Sequence, residues 1–451
     1  MKKINYFIFL IFLVAFLIRL FPIPQELIWD EAVYLQHTDI ISGGSNTYNE
    51  FYFRPPILPL ILSIGKIFAD SLIPSYFIVA LISALGTIFI YLLGKELFNK
   101  QVGVISSIML ALSPFLIQTS HQILTDNTAI TISLISLYLF IKAIKTKKNY
   151  LFVLAGVFLS VSILTKYTSL ILIPTILLFA LFNNTKIRNY LSTIIGFLIP
   201  MIPFFIFLTL NNINILSPFL TYLNASRAET LPILCNYTKS FLIVFPIITI
   251  LGLILLLMPL IKNKLNKNDL ILAIWITAFL AFMQTIHYRE PRYLLVIAPP
   301  IFLLSSRGIY FFFKEKLKFK KITITLFILL AIISFIPFVP LTECYPKEQA
   351  NQETPIIANY IKINLDKNKI LYANHYYPLL AYYTKFNTTV VWPQNEEFYK
   401  VFPKNMQKEG YFIYYKGIKH PDQQFLDNNE KFIKLKEFDT AILYSYNPQE
   451  G

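Results

Sequence analysis

Apolar runs long enough to cross a bilayer recur through the first three quarters of the chain, and every second gap between them is loaded with lysine. The runs lie near 4–22, 71–93, 101–119, 126–141, 150–165, 168–182, 191–210, 240–261, 270–286, 293–312 and 322–341. A hydrocarbon core about 30 Å thick takes roughly 20 helical residues to cross. The pattern therefore predicts a polytopic α-helical membrane protein with about 11 transmembrane helices. The cationic gaps hold Lys2 and Lys3; Lys95 and Lys100; Lys142, Lys145, Lys147 and Lys148; Lys186 and Arg188; Lys262, Lys264 and Lys267; and Lys314, Lys316, Lys318, Lys320 and Lys321, which makes 18 positive residues. The positive-inside bias assigns these gaps and the N-terminus to the cytoplasm of a cell-membrane protein. One miscounted span would break the alternation.

Composition agrees. Charged residues are 14% of the 451, against about a quarter in a soluble chain. The net charge of +15 is distributed as a topology signal, so no nucleic-acid partner is read from it. The first run has about 18 apolar residues with no small-residue cleavage site behind it, which reads as an uncleaved first helix. Two cysteines, Cys235 and Cys344, are too few for a thiolate metal site.

An odd number of spans puts residues 342–451 outside. Composition changes there to short mixed segments: helical patterns at 348–364 and 375–385, and strand-like KILYA (369–373), TTVVW (388–392), YFIYY (411–415) and AILYS (441–445). Such alternation predicts a small extracytoplasmic α/β domain over 342–451, following a transmembrane catalytic domain over 1–341. No glycine-rich phosphate loop is present, in line with only 13 glycines.

The lysine-poor outer loops are where chemistry has to sit. In the first, 23–70, the stretch IWDEAVYLQHTDII has helical spacing, with Asp30, Tyr34 and His37 on one face and Ile28, Ala32 and Leu35 on another. It predicts an amphipathic interfacial helix, ended by SGGSN at 42–46. Pro55 and Pro56 predict the start of a second interfacial or re-entrant helix, because proline is tolerated in a first turn. Arg54 is held just ahead of it, and a helix N-terminus beside an arginine suits a phosphate. Further on, His121 lies in a turn and Asp126 opens the fourth span, where a carboxylate is also stabilised by the helix dipole. His287, Arg289, Glu290 and Arg292 share one tight outer turn, as an Arg–Glu pair or as a guanidinium grip on a lipid phosphate. Lys166 interrupts an apolar block; Lys66, Arg227 and Lys239 read equally well as snorkelling cations.

These features resemble the GT-C class of membrane glycosyltransferases, in particular the protein O-mannosyltransferase branch and the aminoarabinose transferases of lipid A. The resemblance is carried by Asp30–Glu31 followed by Tyr34, by Arg54–Pro55–Pro56, by Thr125–Asp126, by LTKYTSLILIP (164–174) and by PRYLLVIAPP (291–300). It covers nearly the whole chain in order. It implies transfer of a sugar from a polyprenyl- or dolichyl-phosphate donor on the outer side of the membrane. It further implies Asp30 as catalytic base, Arg54 and Arg292 as phosphate-holding residues, and Asp126 as a lining residue on the acceptor side. The loop 211–239 is too short for the β-trefoil insert of eukaryotic protein O-mannosyltransferases, so lipid, glycan and protein acceptors all stay open.

The chemistry leads independently to the same residue types. A sugar phosphate is already activated; the enzyme has to deprotonate an acceptor hydroxyl and stabilise the departing phosphate. One carboxylate and a set of fixed cations suffice. The candidate catalytic residues are Asp30 and Glu31, the latter as orienting group or acceptor ligand. The candidate donor-phosphate residues are Arg54, Arg289, Arg292 and Lys166, and the candidate site-lining residues are Tyr34, His121, Asp126 and His287. No metal ligand set is assigned and no cofactor is required, although a divalent cation remains an alternative through His121, His287, Asp30 and Asp126, as in metal-dependent oligosaccharyltransferases. The other alternative is a polytopic transporter or lipid flippase. Arg19 inside a span fits it, and the lack of a detectable internal repeat opposes it.

Overall fold

A computed structural model describes residues 2–23, 26–44, 54–69, 71–225, 237–284, 290–316, 349–391, 399, 406–417 and 421–449. The apolar run 322–341, both cysteines, His287 and Arg289 lie outside the described residues. By internal contacts the chain forms two units, one of residues 1–23, 52–61 and 68–345, the other of 24–51, 62–67 and 346–451.

The first unit is all helical. Its helices are α1 (Lys2–Leu20), followed, after α2 (Trp29–Ile41) of the other unit and α3 (Ile57–Lys66), by α4 (Ile73–Leu97), α5 (Lys100–Leu112), α6 (Pro114–Ser120), α7 (Thr125–Thr146), α8 (Asn149–Thr165), α9 (Leu172–Phe182), α10 (Ile187–Leu210), α11 (Ser217–Ala225), α12 (Tyr237–Val244), α13 (Ile247–Leu255), α14 (Leu257–Ile261), α15 (Lys267–Met283) and α16 (Ala298–Lys316). Among the described residues four helical stretches are long and apolar enough to cross a membrane, Ile73–Leu97, Thr125–Thr146, Ile187–Leu210 and Pro291–Lys314, or five if the bent pair α5–α6 is one span. On α10, Ile194, Ile195, Ile199, Ile202 and Ile206 are exposed; a row of this kind is stable against lipid and not against water. The chain is a multi-pass membrane protein.

Several runs that read as single spans are broken, and each break has a local cause. The run 101–119 bends by 55° between α5 and α6, where Pro114 removes a backbone donor. The carbonyls freed in the last turn of α5 are met by Arg19, whose guanidinium donates to Leu110 O at 2.8 Å, Ala111 O at 2.8 Å and Ser83 Oγ at 3.0 Å. Its charge sits at a helix C-terminus, the favourable end of the dipole. The run 240–261 is likewise broken at Phe245–Pro246, between α12 and α13. Between the two runs 150–165 and 168–182, Lys166 has extended backbone between α8 and a 3-10 turn over Tyr167–Ile171.

Helices α8 and α10 approach so closely that only glycine fits. A Cβ on Gly196 would stand 1.9 Å from Val153 O, and one on Gly156 2.0 Å from Thr193 O. Small residues at such crossings let backbones of membrane helices pack directly. Gly196→Val is therefore expected to abolish most of the monodisperse folded fraction on size-exclusion chromatography, whereas Ile195→Val, on the exposed side, leaves it unchanged. Equal yields for the two variants would refute the packing argument.

The second unit is a five-stranded sheet with α2 and three further helices. Its strands are β1 (Ile370–Ala373), β2 (Thr388–Val390), β3 (Gly410–Tyr415), β4 (Phe432–Glu437) and β5 (Ala441–Tyr446), in the order β2-β1-β3-β5-β4. β1 runs parallel to β2 and β3, and β5 antiparallel to β3 and β4. The helices are α17 (Gln349–Asn364), α18 (Tyr377–Thr384) and α19 (Gln423–Asp427). β3 is buried at all six residues, as a central strand covered on both faces must be. Edge strand β4 buries Phe432 and exposes Lys434, Lys436 and Glu437, charges that discourage pairing with another chain. A core of Tyr372, Phe412, Tyr414, Phe432, Ile442, Tyr444 and Tyr446 fills one layer.

Candidate active site

Asp30 occupies the first turn of α2, and the helix begins there for a specific reason. Ile28 has extended backbone, and the Glu31 carboxylate reaches back to accept its N–H at 2.9 Å, half of a capping box. The two acids of the pair are thereby separated in role. Glu31 is 1% exposed and bound to backbone, whereas Asp30 is half-buried. The helix ends at Ile41, followed by Ser42 and by Gly43 at φ +87°, as SGGSN predicts.

The burial of α2 differs from the expected interfacial helix. All residues from Glu31 to Thr38 are buried, Tyr34 and His37 included. The reason is α18. Gln36 Nε2 donates to Pro378 O at 2.7 Å, Leu27 N to Tyr383 Oη at 3.2 Å, and Trp29 packs edge-on to Tyr377 at 5.0 Å between ring centroids. Asp39 accepts from Lys385 at 2.6 Å and pairs with Lys66, so Lys66 is an ion-pair partner here. Burial raises the Tyr383 hydroxyl above the ordinary phenol value, and Glu31 and Glu26 add to the rise. Tyr383 is therefore neutral and no candidate base.

The all-helical unit gathers a second polar group. Asp126, in the first turn of α7, pairs with Lys166, their side chains 2% and 7% exposed. No side chain caps α7; Asp126 sits at the favourable end of the dipole and is held by a cation as well. Lys166 Nζ stands 5.5 Å from the Tyr293 ring centroid, and Arg292 Cζ 5.9 Å from the same ring. Arg292 in turn pairs with buried Glu290, with one bond of 3.1 Å. Beside the Asp126–Lys166 pair lies an enclosed cavity of about 10 Å³, lined also by Ser133, Ser169 and Trp275, room for about one water. Arg54 is half-buried directly ahead of Pro55–Pro56 and α3, which starts where those prolines predict. His121 is engaged elsewhere, its Nε2 2.9 Å from Ile18 O.

The structure thus joins Asp126 to Lys166 and Arg292 to Glu290, and joins Tyr34 and His37 to the Asp30 helix. Among the described residues, no three His, Cys, Asp or Glu side chains form a metal-holding group. Trp275, Tyr293, His375, Tyr377 and Tyr383 were not anticipated. Tyr293 stands inside the PRYLLVIAPP motif, and the aromatic NHYYP at 374–378 directly follows the strand-like KILYA; these are the signals the sequence offers.

Known proteins place this architecture. A family model described as dolichyl-phosphate-mannose-protein mannosyltransferase matches residues 53–210. No curated protein matches the chain in sequence. Among solved structures, ArnT from Cupriavidus metallidurans bound to undecaprenyl phosphate is similar at TM-score 0.71 and 12% identity, covering 98% of this chain and 98% of that one. The archaeal oligosaccharyltransferase AglB from Archaeoglobus fulgidus, in complex with an inhibitory peptide and a dolichol-phosphate, is similar at TM-score 0.65 and 13% identity, covering 98% of this chain and 74% of that one. The chain shares the fold of the GT-C membrane glycosyltransferases and, over residues 53–210, resembles their dolichyl-phosphate-mannose-protein mannosyltransferase branch.

Proposed function

We propose that the protein is an inverting glycosyltransferase that moves a sugar from a polyprenyl-phosphate carrier to a hydroxyl of a lipid, glycan or protein acceptor on the outer face of the membrane. The observation that carries this reading is the division of labour in the acidic pair. Glu31 is buried, accepts the Ile28 N–H and fixes the start of α2, while Asp30 in the same turn is only half-buried. In the reaction, Asp30 takes the proton of the acceptor hydroxyl as its oxygen bonds to the anomeric carbon. The bond from that carbon to the phosphate oxygen breaks, and the pair of electrons leaves with the polyprenyl phosphate. Arg54 holds that phosphate as its charge grows. Arg289 and Arg292 serve the carrier less directly, Arg292 by exchanging Glu290 for phosphate. Asp126 and Lys166 act together as one lining element on the acceptor side.

The lysine alternation supports a cytoplasmic N-terminus, about 11 spans and an extracytoplasmic C-terminal α/β domain. ArnT and AglB, structures of the same fold, are described with undecaprenyl phosphate and dolichol-phosphate respectively, which supports a lipid monophosphate as carrier. The test is transfer from a panel of synthetic polyprenyl-phosphate sugars by protein purified into nanodiscs. Arg54→Ala should weaken binding of sugar-free polyprenyl phosphate at least tenfold, about 1.4 kcal/mol, and unchanged affinity would remove Arg54 from the phosphate. Turnover should survive a chelator, since arginine supplies the charge that a metal supplies in the alternative; loss of activity restored by a divalent cation would favour that alternative.

A further inference from the structure

The sheet that shares a unit with α2 has a topological switch point. From β1 the chain turns to one side to form β2 and later returns on the other side as β3, both parallel to β1. The carboxyl end of β1 is therefore a point where strand order reverses, the position at which open parallel sheets leave a ligand crevice. The residues that follow β1 there are Asn374, His375 and Tyr376. Asn374 fixes the spacing of the crevice by accepting from Tyr415 N at 2.8 Å and donating to Tyr415 O at 3.3 Å. Between ring centroids, His375 and Trp29 stand 5.2 Å apart, Tyr377 meets Trp29 edge-on at 5.0 Å, and Tyr376 meets His375 edge-on at 4.3 Å and Tyr415 edge-on at 4.8 Å. Tyr376 and Tyr377 are buried, whereas Trp29 and His375 keep part of their rings accessible.

Packing alone calls for apolar rings; here the two partly accessible residues carry an indole and an imidazole, and the indole is next in sequence to Asp30 and Glu31. The acidic residues Glu26, Asp30 and Glu31 of this segment disfavour a phosphate or nucleotide, and the cations Lys66 and Lys385 are both taken by Asp39. A neutral ring with apolar C–H faces and a hydroxyl rim fits this chemistry. Its C–H face meets the electron-rich indole, and its hydroxyls meet the accessible edge of the imidazole and the Asp30 carboxylate. We infer that Trp29 and His375, backed by Tyr377, form a sugar-ring subsite at the carboxyl end of β1. Trp29 and Asp30 share the first turn of α2, so the subsite lies within one helical turn of the proposed base. This deepens the proposed transfer reaction and rests on it for the identity of the base.

The test uses the full chain in nanodiscs with its three tryptophans labelled as 5-fluorotryptophan, the Trp29 resonance being assigned from Trp29→Phe. The probes are octyl mannoside, glucoside, galactoside and arabinoside, with octyl phosphate as the control for chain and charge. At least one glycoside should shift the Trp29 resonance saturably, octyl phosphate should not, and His375→Ala should weaken the response at least tenfold. A Trp29 resonance that no glycoside moves, or that octyl phosphate moves equally, overturns the subsite. Transfer by the wild type is read separately. Transfer with an unmoved Trp29 removes the subsite and keeps the function; a saturable shift without transfer from any donor keeps the sugar site and removes the function.

Discussion

Asp30→Asn is expected to lower turnover by about 10²–10⁴-fold, the usual contribution of a positioned general base, with donor affinity unchanged. Asparagine keeps the size of the side chain and the hydrogen-bonding rim of the first turn of α2 but does not accept the acceptor's proton. Glu31→Gln behaves differently. Its carboxylate accepts the Ile28 N–H, and an amide oxygen accepts the same bond, so the helix still starts in register and activity falls less. Glu31→Ala removes the cap, at about 1 kcal/mol, and lets the turn carrying Asp30 fray. The measurement is single-turnover transfer together with donor binding for all three variants. Near-normal turnover by Asp30→Asn, or a larger loss for Glu31→Gln, would reverse the assignment of base and cap.

The second large effect lies in the Asp126–Lys166 pair. Removing one partner, as in Lys166→Met, leaves the other charge buried where both side chains are at most 7% exposed; the expected destabilisation is about 3–5 kcal/mol. The double variant Asp126→Leu with Lys166→Met removes the pair as a unit, and its stability should return to within about 1 kcal/mol of the wild type, since replacing a whole buried pair by apolar groups is often neutral. Turnover should not return with it if, as proposed, the pair lines the acceptor side and is needed chemically as well as structurally. Thermal inactivation in detergent and transfer rate, measured on the single and double variants, separate the two roles. A double variant that is both stable and fully active would make the pair a structural tie only.

What was legible in the sequence and what was not follow from the range of the interactions. The helix starts and stops near the acidic pair are local: Pro55–Pro56 before α3, and Ser42 with left-handed Gly43 after α2. The same holds for β1, β2, β3 and β5, whose apolar runs exceed their surroundings. β4 was not read as a strand because FIKLKE is charged as an edge strand must be, and charge hides the alternation. The bends at Pro114 and Pro246 lie inside runs that stay apolar throughout, so hydropathy passes over them. The contact of α2 with α18 lies some 340 residues further along, and no local pattern announces it. Lys166 read as an isolated cation because its partner is 40 residues away in sequence. The candidate base, by contrast, was visible because two adjacent carboxylates beside a tryptophan at the end of an apolar run call for a use.

The account stands on a single displacement at the anomeric carbon, with a base-activated hydroxyl attacking opposite the phosphate. Proton NMR of the purified product, made from a polyprenyl-phosphate sugar of defined anomeric configuration, reads this directly from the anomeric coupling constant. The expected product has the configuration opposite to that of the donor. A product that retains the donor's configuration would contradict single displacement, and with it the role of Asp30.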